Sequence, residues 1–222
     1  MTEITSAERA YQHLRRKLLS GEFPPGSRLL YGPIGKQIGI SATPVREAAG
    51  QLAKEGLVNL VPQMGAIVRQ LDERELREIY EVRLAIEPFS AGLAADRATT
   101  KQVESIAAAA LRMQALTDKL LKSSADTAGK RISKQFDLAD YEFHMAILRA
   151  TDNRALLRTA EQSHVLARMF SIDRHRYTAE SMTATVEEHQ QILAAIQEGD
   201  SEAAARESEV HIRHGLTMSM GA

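Results

Sequence analysis

The chain has 222 residues, 44% hydrophobic and 26% charged, with a formal net charge of −1, enough for one large or two small cored domains. It contains no cysteine, which excludes disulfides and thiolate metal sites, and no apolar run long enough for a signal segment or a bilayer span, so a cytoplasmic protein without a membrane partner is expected. Charge is uneven: residues 1–70 hold nine Lys/Arg against five Asp/Glu, residues 71–222 nineteen against twenty-four, so nucleic acid is expected to meet only the first part.

In chain order, Ser6 is the expected cap of a first helix running to about Ser20, with Ala10, Tyr11, Leu14 and Leu18 on one face. Phe23-Pro24-Pro25-Gly26 is a rigid turn and Arg28-Leu29-Leu30 a short extended piece. Pro33 opens a short second helix that Gly39 ends. A third helix begins with Thr43 as N-cap and Pro44 at its first position. Val45, Ala48, Ala49 and Leu52 form its inward stripe and Gly56 ends it. Its free face carries Arg46, Glu47, Gly50, Gln51 and Lys54, a set that a major groove accepts. Leu57–Val61 and Ala66–Arg69 read as two strands joined by a turn over Pro62–Gly65, with positive φ expected at the glycine. Three helices and a hairpin in about seventy residues make a winged helix-turn-helix.

From Leu71 onward the pattern is helical. The expected helices are Asp72 to about Arg97 (kinked at Pro88), Thr100 to about Lys122, Lys130–Ala150, Arg154 to about Arg174, a helix started or restarted by a capping box at Thr185-Val-Glu-Glu188 and ending at Gly199, and one from Asp200 to about Met218. The predicted fold is mainly α: a winged helix-turn-helix over residues 1–70, then an antiparallel bundle of six or so helices over 71–222.

Residues 6–70 resemble the GntR family of bacterial transcription regulators. The resemblance rests on Leu18-Leu-Ser-Gly21, Pro25-Gly-Ser-Arg-Leu29, Ser41-Ala-Thr-Pro-Val-Arg-Glu-Ala48, Leu52-Ala-Lys-Glu-Gly-Leu-Val58 and Gly65. Residues 74–217 resemble the FCD effector domain of the FadR-like branch, through Tyr80-Glu-Val-Arg-Leu-Ala-Ile-Glu87, Asp140-Tyr-Glu-Phe-His144, Asn153, Glu188-His189-Gln-Gln-Ile192, Gly199-Asp200 and His211-Ile212. The resemblance implies a homodimer that binds an operator palindrome in double-stranded DNA. It also implies that a small organic acid in the bundle changes the relation of the two DNA-binding domains, a repressor being the expected sense. The chain departs from the family pattern at Ala42, Ala49 and Gly50, where Arg, Leu and a basic residue are common. Leu30-Tyr31-Gly32 also replaces a polar start to the second helix. Arg46 and the wing must then carry more of the specificity, or the operator is read partly by shape.

Expected DNA contacts are Arg46 to a guanine edge, Ser41, Thr43 and Gln51 to phosphates or bases, Arg28 ahead of the second helix, and Gln63 and Gly65 in the wing. The competing reading of Arg46 is a solvated side chain or an internal ion pair. Gly50 permits close approach either of DNA or of a neighbouring helix. Asp140 and His144 stand i, i+4 on one helix, a spacing that alone is weak. With the helices sharing a core, as the resemblance implies, His189 and His211 join them. One carboxylate and three imidazoles suit zinc first, with nickel or manganese as alternatives. Arg83 either clamps an effector carboxylate or pairs with Glu87, four residues on. His164, His175 and His214 show no partner pattern, His214 being either a support for His211 or a surface residue. The competing function is a metal-dependent enzyme on a helical bundle with a vestigial DNA-binding domain. It lacks a separate nucleophile or acid–base pair, and the expectation is that the chain is no enzyme.

Overall fold

The computed structural model describes residues 4–123, 125–171 and 177–220. The chain divides into two compact units after Asp72. The first contains α1 (Ser6–Leu19), β1 (Arg28–Leu29), α2 (Tyr31–Ile38), α3 (Ala42–Lys54), β2 (Val58–Val61) and β3 (Gly65–Val68). The strands form one antiparallel sheet in the order β1-β3-β2, with Arg28 opposite Ile67 and Asn59 opposite Ile67 on the other side. The extended piece at Arg28 is thus a third strand.

The core of this unit follows from the apolar stripes. Ala10, Leu14 and Leu18 of α1, Val45, Ala48, Ala49 and Leu52 of α3, and Leu29, Val58, Ala66 and Val68 of the sheet are buried. Helix starts differ from the sequence reading. Thr5, not Ser6, caps α1, accepting from the Glu8 N–H. Ser41, not Thr43, is the N-cap residue of α3, and α2 begins at Tyr31, so each proline lies at the third helical position. A proline there still costs no helical hydrogen bond, because the first four N–H groups lack intrahelical acceptors. Gly39 and Gly56 take positive φ at the ends of α2 and α3. In the wing Gly65 does so too, together with Gln63.

The second unit holds α4 (Glu73–Arg97), α5 (Thr100–Leu121), α6 (Lys130–Ala150), α8 (Ala179–Glu198) and α9 (Ser201–Ser219), with the first part of α7 (Arg154–Ser171). The expected end of the α7 segment near Arg174, and His175, lie outside the described residues. The helix α4 runs on through Pro88. Its Gly92 lies against α9, where a Cβ would stand 3.0 Å from the Ser201 carbonyl oxygen. The absence of a side chain therefore permits the close approach of the two helices. The helix α8 starts at the Thr178 cap, with Ser181 completing a capping box. Thr185 lies inside α8, and its hydroxyl donates to the Ser181 carbonyl, so the predicted start there is corrected. The Asp200 side chain caps α9 as expected. One core joins α4, α5, α6, α8 and α9 through Ala91, Ile106, Met113, Phe136, Phe143, Ile192, Ile196 and Ala204.

Candidate metal centre and DNA-reading surface

His144 of α6 and His189 of α8 are buried side by side, and His211 of α9 joins them. His144 Nε2 lies 3.4 Å from His189 Nε2 and 3.2 Å from His211 Nε2. Asp140, one turn before His144, brings Oδ1 within 3.5 Å of His189 Nε2 and 3.8 Å of His144 Nε2. One ligand atom from each of the four lies within 4.8 Å of the others. Three are closed to solvent, while a third of the Asp140 side chain is exposed.

The back of each imidazole decides what its front offers. His144 Nδ1 lies 2.7 Å from Glu87 Oε2 and His211 Nδ1 2.8 Å from Glu188 Oε2. A carboxylate accepts only, so each neutral ring puts its proton on Nδ1 and turns an Nε2 lone pair inward. Two such lone pairs 3.2 Å apart repel unless a cation lies between them. A proton serves, and so does a metal ion. Metal–nitrogen bonds of about 2.0–2.1 Å in a tetrahedron set ligand nitrogens roughly 3.4 Å apart, close to the separations found. The donor set therefore fits a divalent ion.

The electrostatics are consistent. Burial alone would push the His144 imidazole down, but Glu87 and Asp140 more than offset it and raise it to about 9. Burial pushes His189 well down, helped by His211, and lowers His211 and His164 despite the carboxylates near them. Asp140, against the upward push of burial, is held below the usual carboxylate range by its histidines. The carboxylates thus favour an added positive charge at His144, while burial disfavours one on His189 and His211. His189 Nδ1 is buried with no hydrogen-bond partner.

Behind His144 a second cluster centres on Glu87. Arg83 Nε donates to Oε1 at 2.5 Å, and His164 Nε2 lies 3.1 Å from that oxygen without the alignment of a hydrogen bond. Burial would raise the Glu87 carboxyl, yet Arg83, His164 and His144 together hold it well below its usual range. Arg83 thus forms the ion pair with Glu87 and also faces the Tyr80 ring, its guanidinium carbon 4.9 Å from the centroid. His214, half-buried, pairs with the second oxygen of Glu188. Neither His164 nor His214 is a solvated surface residue. Their partners lie on other helices; for His164 spacing along the chain carried no signal, while the interval from His211 to His214 hinted at the shared partner Glu188. The Arg83–Glu87 interval was visible, but the link from Glu87 to His144 was not.

In the first unit α3 buries its apolar stripe and leaves Ser41, Thr43, Arg46 and Gln51 exposed. Arg28 and Gln63 are exposed and Gly65 is half-buried. Among the described residues no carboxylate pairs with Arg46. Its guanidinium carbon lies 5.8 Å from the centroid of the Tyr31 ring. Arg28, Tyr31, Ala42, Arg46, Gln63 and Gly65 line one concavity of about 740 Å³. A Cβ added at Gly50 meets nothing within 4 Å, so no neighbouring helix requires that glycine.

A three-helix unit with a wing, joined in one chain to an all-helical unit with a buried histidine cluster, defines a winged-helix transcription regulator with a separate helical effector-type domain. Residues 6–68 match the family described as bacterial regulatory proteins, gntR family, and residues 78–214 match the FCD domain. The chain belongs to the GntR family and carries an FCD domain. It is 29% identical to the HTH-type transcriptional repressor GlaR of Escherichia coli (strain K12), over 96% of this chain and 94% of that one. It is 30% identical to the probable D-xylose utilization operon transcriptional repressor of Paenarthrobacter nicotinovorans, over 96% and 88%. The gluconate operon transcriptional repressor of Bacillus subtilis (strain 168) is 27% identical, over 90% and 79%. In fold it matches E. coli McbR/YncC with a TM-score of 0.83 at 20% identity, covering 99% of both chains. These relatives are named as regulators and repressors, so the enzyme reading is not favoured. No described helix is long and apolar enough to cross a membrane.

Proposed function

We propose that this regulator is a cytoplasmic homodimeric repressor whose helical domain senses a small organic acid at a metal centre. Asp140, His144, His189 and His211 hold the ion, with zinc the first choice because three imidazoles and a carboxylate suit it. The observation that carries the reading is the inward convergence of three Nε2 atoms with a half-open carboxylate beside them. A metal there would supply a Lewis-acidic position for an oxygen ligand. Arg83 exchanges Glu87 for the effector carboxylate, since a guanidinium fork suits either. Relatives named for D-xylose and gluconate operons make sugars and sugar acids the first compounds to test.

On the DNA side, Arg46 reads a guanine edge, Ser41, Thr43 and Gln51 contact phosphates or bases, and Arg28, Gln63 and Gly65 support the approach of the wing. The effector shifts the dimer by its differential affinity for the DNA-competent and incompetent arrangements. The test is fluorescence anisotropy of the zinc-loaded full chain on its own upstream duplex at ~150 mM salt, where nonspecific binding is weakened. Gluconate, xylonate and related acids are titrated in. Release by one acid, lost in Arg83→Leu, is the expected outcome. Tighter binding reverses the sign of regulation, and failure to bind any upstream duplex overturns the reading.

A further inference from the structure

Tyr31 belongs to the Leu30-Tyr31-Gly32 stretch at the start of the second helix, and no role is assigned to it by the DNA contacts above. It is the first residue of α2 and half-buried. Its ring is near two further residues of the surface. Arg46 approaches from α3, with the guanidinium carbon 5.8 Å from the ring centroid. Gly65 of the wing lies on the other contact, where an added Cβ would stand 3.4 Å from both Cζ and the phenol oxygen. All three line the same concavity. One aromatic ring thus joins the wing, α2 and the recognition helix.

We propose that Tyr31 is a positioning residue for DNA specificity: seated on Gly65, its ring holds the Arg46 guanidinium ready for a base edge. This rests on the reading that Arg46 contacts a base. An arginine side chain loses much rotamer freedom when it forms a two-pronged hydrogen bond. A ring face attracts and stacks a guanidinium, which restricts the side chain beforehand and lowers the cost of the contact. Gly65 takes a positive φ that side chains rarely adopt, and an added Cβ would stand in van der Waals contact with the ring, so the wing backbone forms one wall of the ring's seat. The benefit falls on discrimination between sequences. Nonspecific affinity comes from phosphate neutralisation, in which the ring takes no part.

The test uses the full-length protein and a randomised duplex library to select its preferred site. Binding to that site, to its single-base-pair variants and to nonspecific duplex is then compared. The variants are Tyr31→Phe, Tyr31→Leu, Arg46→Ala and the Tyr31→Leu/Arg46→Ala double, each checked for an unchanged melting temperature. Leucine keeps an apolar body against Gly65 and removes the ring face. We expect Tyr31→Leu to lower the specificity ratio on the order of two- to fivefold at the base pair that Arg46→Ala also relaxes. Nonspecific affinity and salt slope stay as in wild type, Tyr31→Phe retains the ratio, and the double variant is no worse than Arg46→Ala. A full ratio in Tyr31→Leu overturns the proposal, as does an equal further loss in the Arg46→Ala background. Loss in Tyr31→Phe also overturns it, by assigning the role to the hydroxyl. An unchanged ratio in Arg46→Ala removes the base-reading assignment itself and is recognisable as that separate failure.

Discussion

His144 Nδ1 and Glu87 Oε2 are 2.7 Å apart in the interior of the helical domain, and this contact turns the other ring nitrogen toward His189 and His211. The proposed metal centre would therefore be set from behind, by a carboxylate outside the group Asp140, His144, His189 and His211. Glu188 does the same for His211.

Replacing either carboxylate with its amide tests that arrangement. Glu87→Gln and Glu188→Gln are each expected to lower zinc affinity about ten- to a hundredfold, measured by competition with a chromophoric chelator. Glu87→Gln also leaves Arg83 buried without its counter-charge, a loss of about 3–5 kcal/mol, visible in chemical denaturation. Glu188 is more exposed, and its substitution costs less. Wild-type zinc affinity in both variants contradicts the role given to the two carboxylates.

The metal-free protein is expected to lose stability as pH falls from about 7.5 to 5.5. Burial depresses His164, His189 and His211 below the ordinary imidazole value of 6.5. The unfolded chain then takes up protons near pH 6.5 that the folded chain refuses, so stability declines below that pH. His144, raised to about 9, acts in the opposite sense. Its contribution is full below pH 6.5 and is lost as pH rises through about 9. His13 is depressed by burial as well, so four groups act against one, and thermal melts at the two pH values should show the lower midpoint at 5.5. Zinc should raise the midpoint at 7.5 more than at 5.5, because protons compete for the ligands. An equal or higher metal-free midpoint at 5.5 is the contrary result.

Two glycines of the DNA-binding unit are expected to respond oppositely to alanine. Gly50 is in the helical interior of α3 with open space around its Cβ position, so Gly50→Ala should stabilise by about 0.5–1 kcal/mol. Gly65 has φ +85° and the Tyr31 ring against it, so Gly65→Ala should destabilise by about 1–2 kcal/mol. Urea denaturation of both variants gives the two signs directly. Matching signs would count against this account of the backbone.

The sequence showed the helices and their buried faces because those depend on local periodicity. The helix α6 begins and ends where its pattern says, and the stripe on α3 is buried as its spacing requires. Helix starts were less legible. At Thr185 a capping-box pattern occurs inside a helix, while the actual box at Thr178 uses Ser181, a residue less typical of that position. In the site, Asp140 and His144 share one helix and were readable as a pair. Glu87, His164, Glu188 and His214 act across helices α4, α7, α8 and α9. Only the packing of the bundle brings them together, and no interval along the chain encodes that.

The most direct test of the central claim is the metal content of the full chain, purified after zinc loading and gel filtration and measured by elemental mass spectrometry. The wild type should retain about one ion per chain, and His189→Gln and His144→Ala should lose it while keeping their helical circular dichroism. Equal metal content in all three folded proteins would contradict the metal centre.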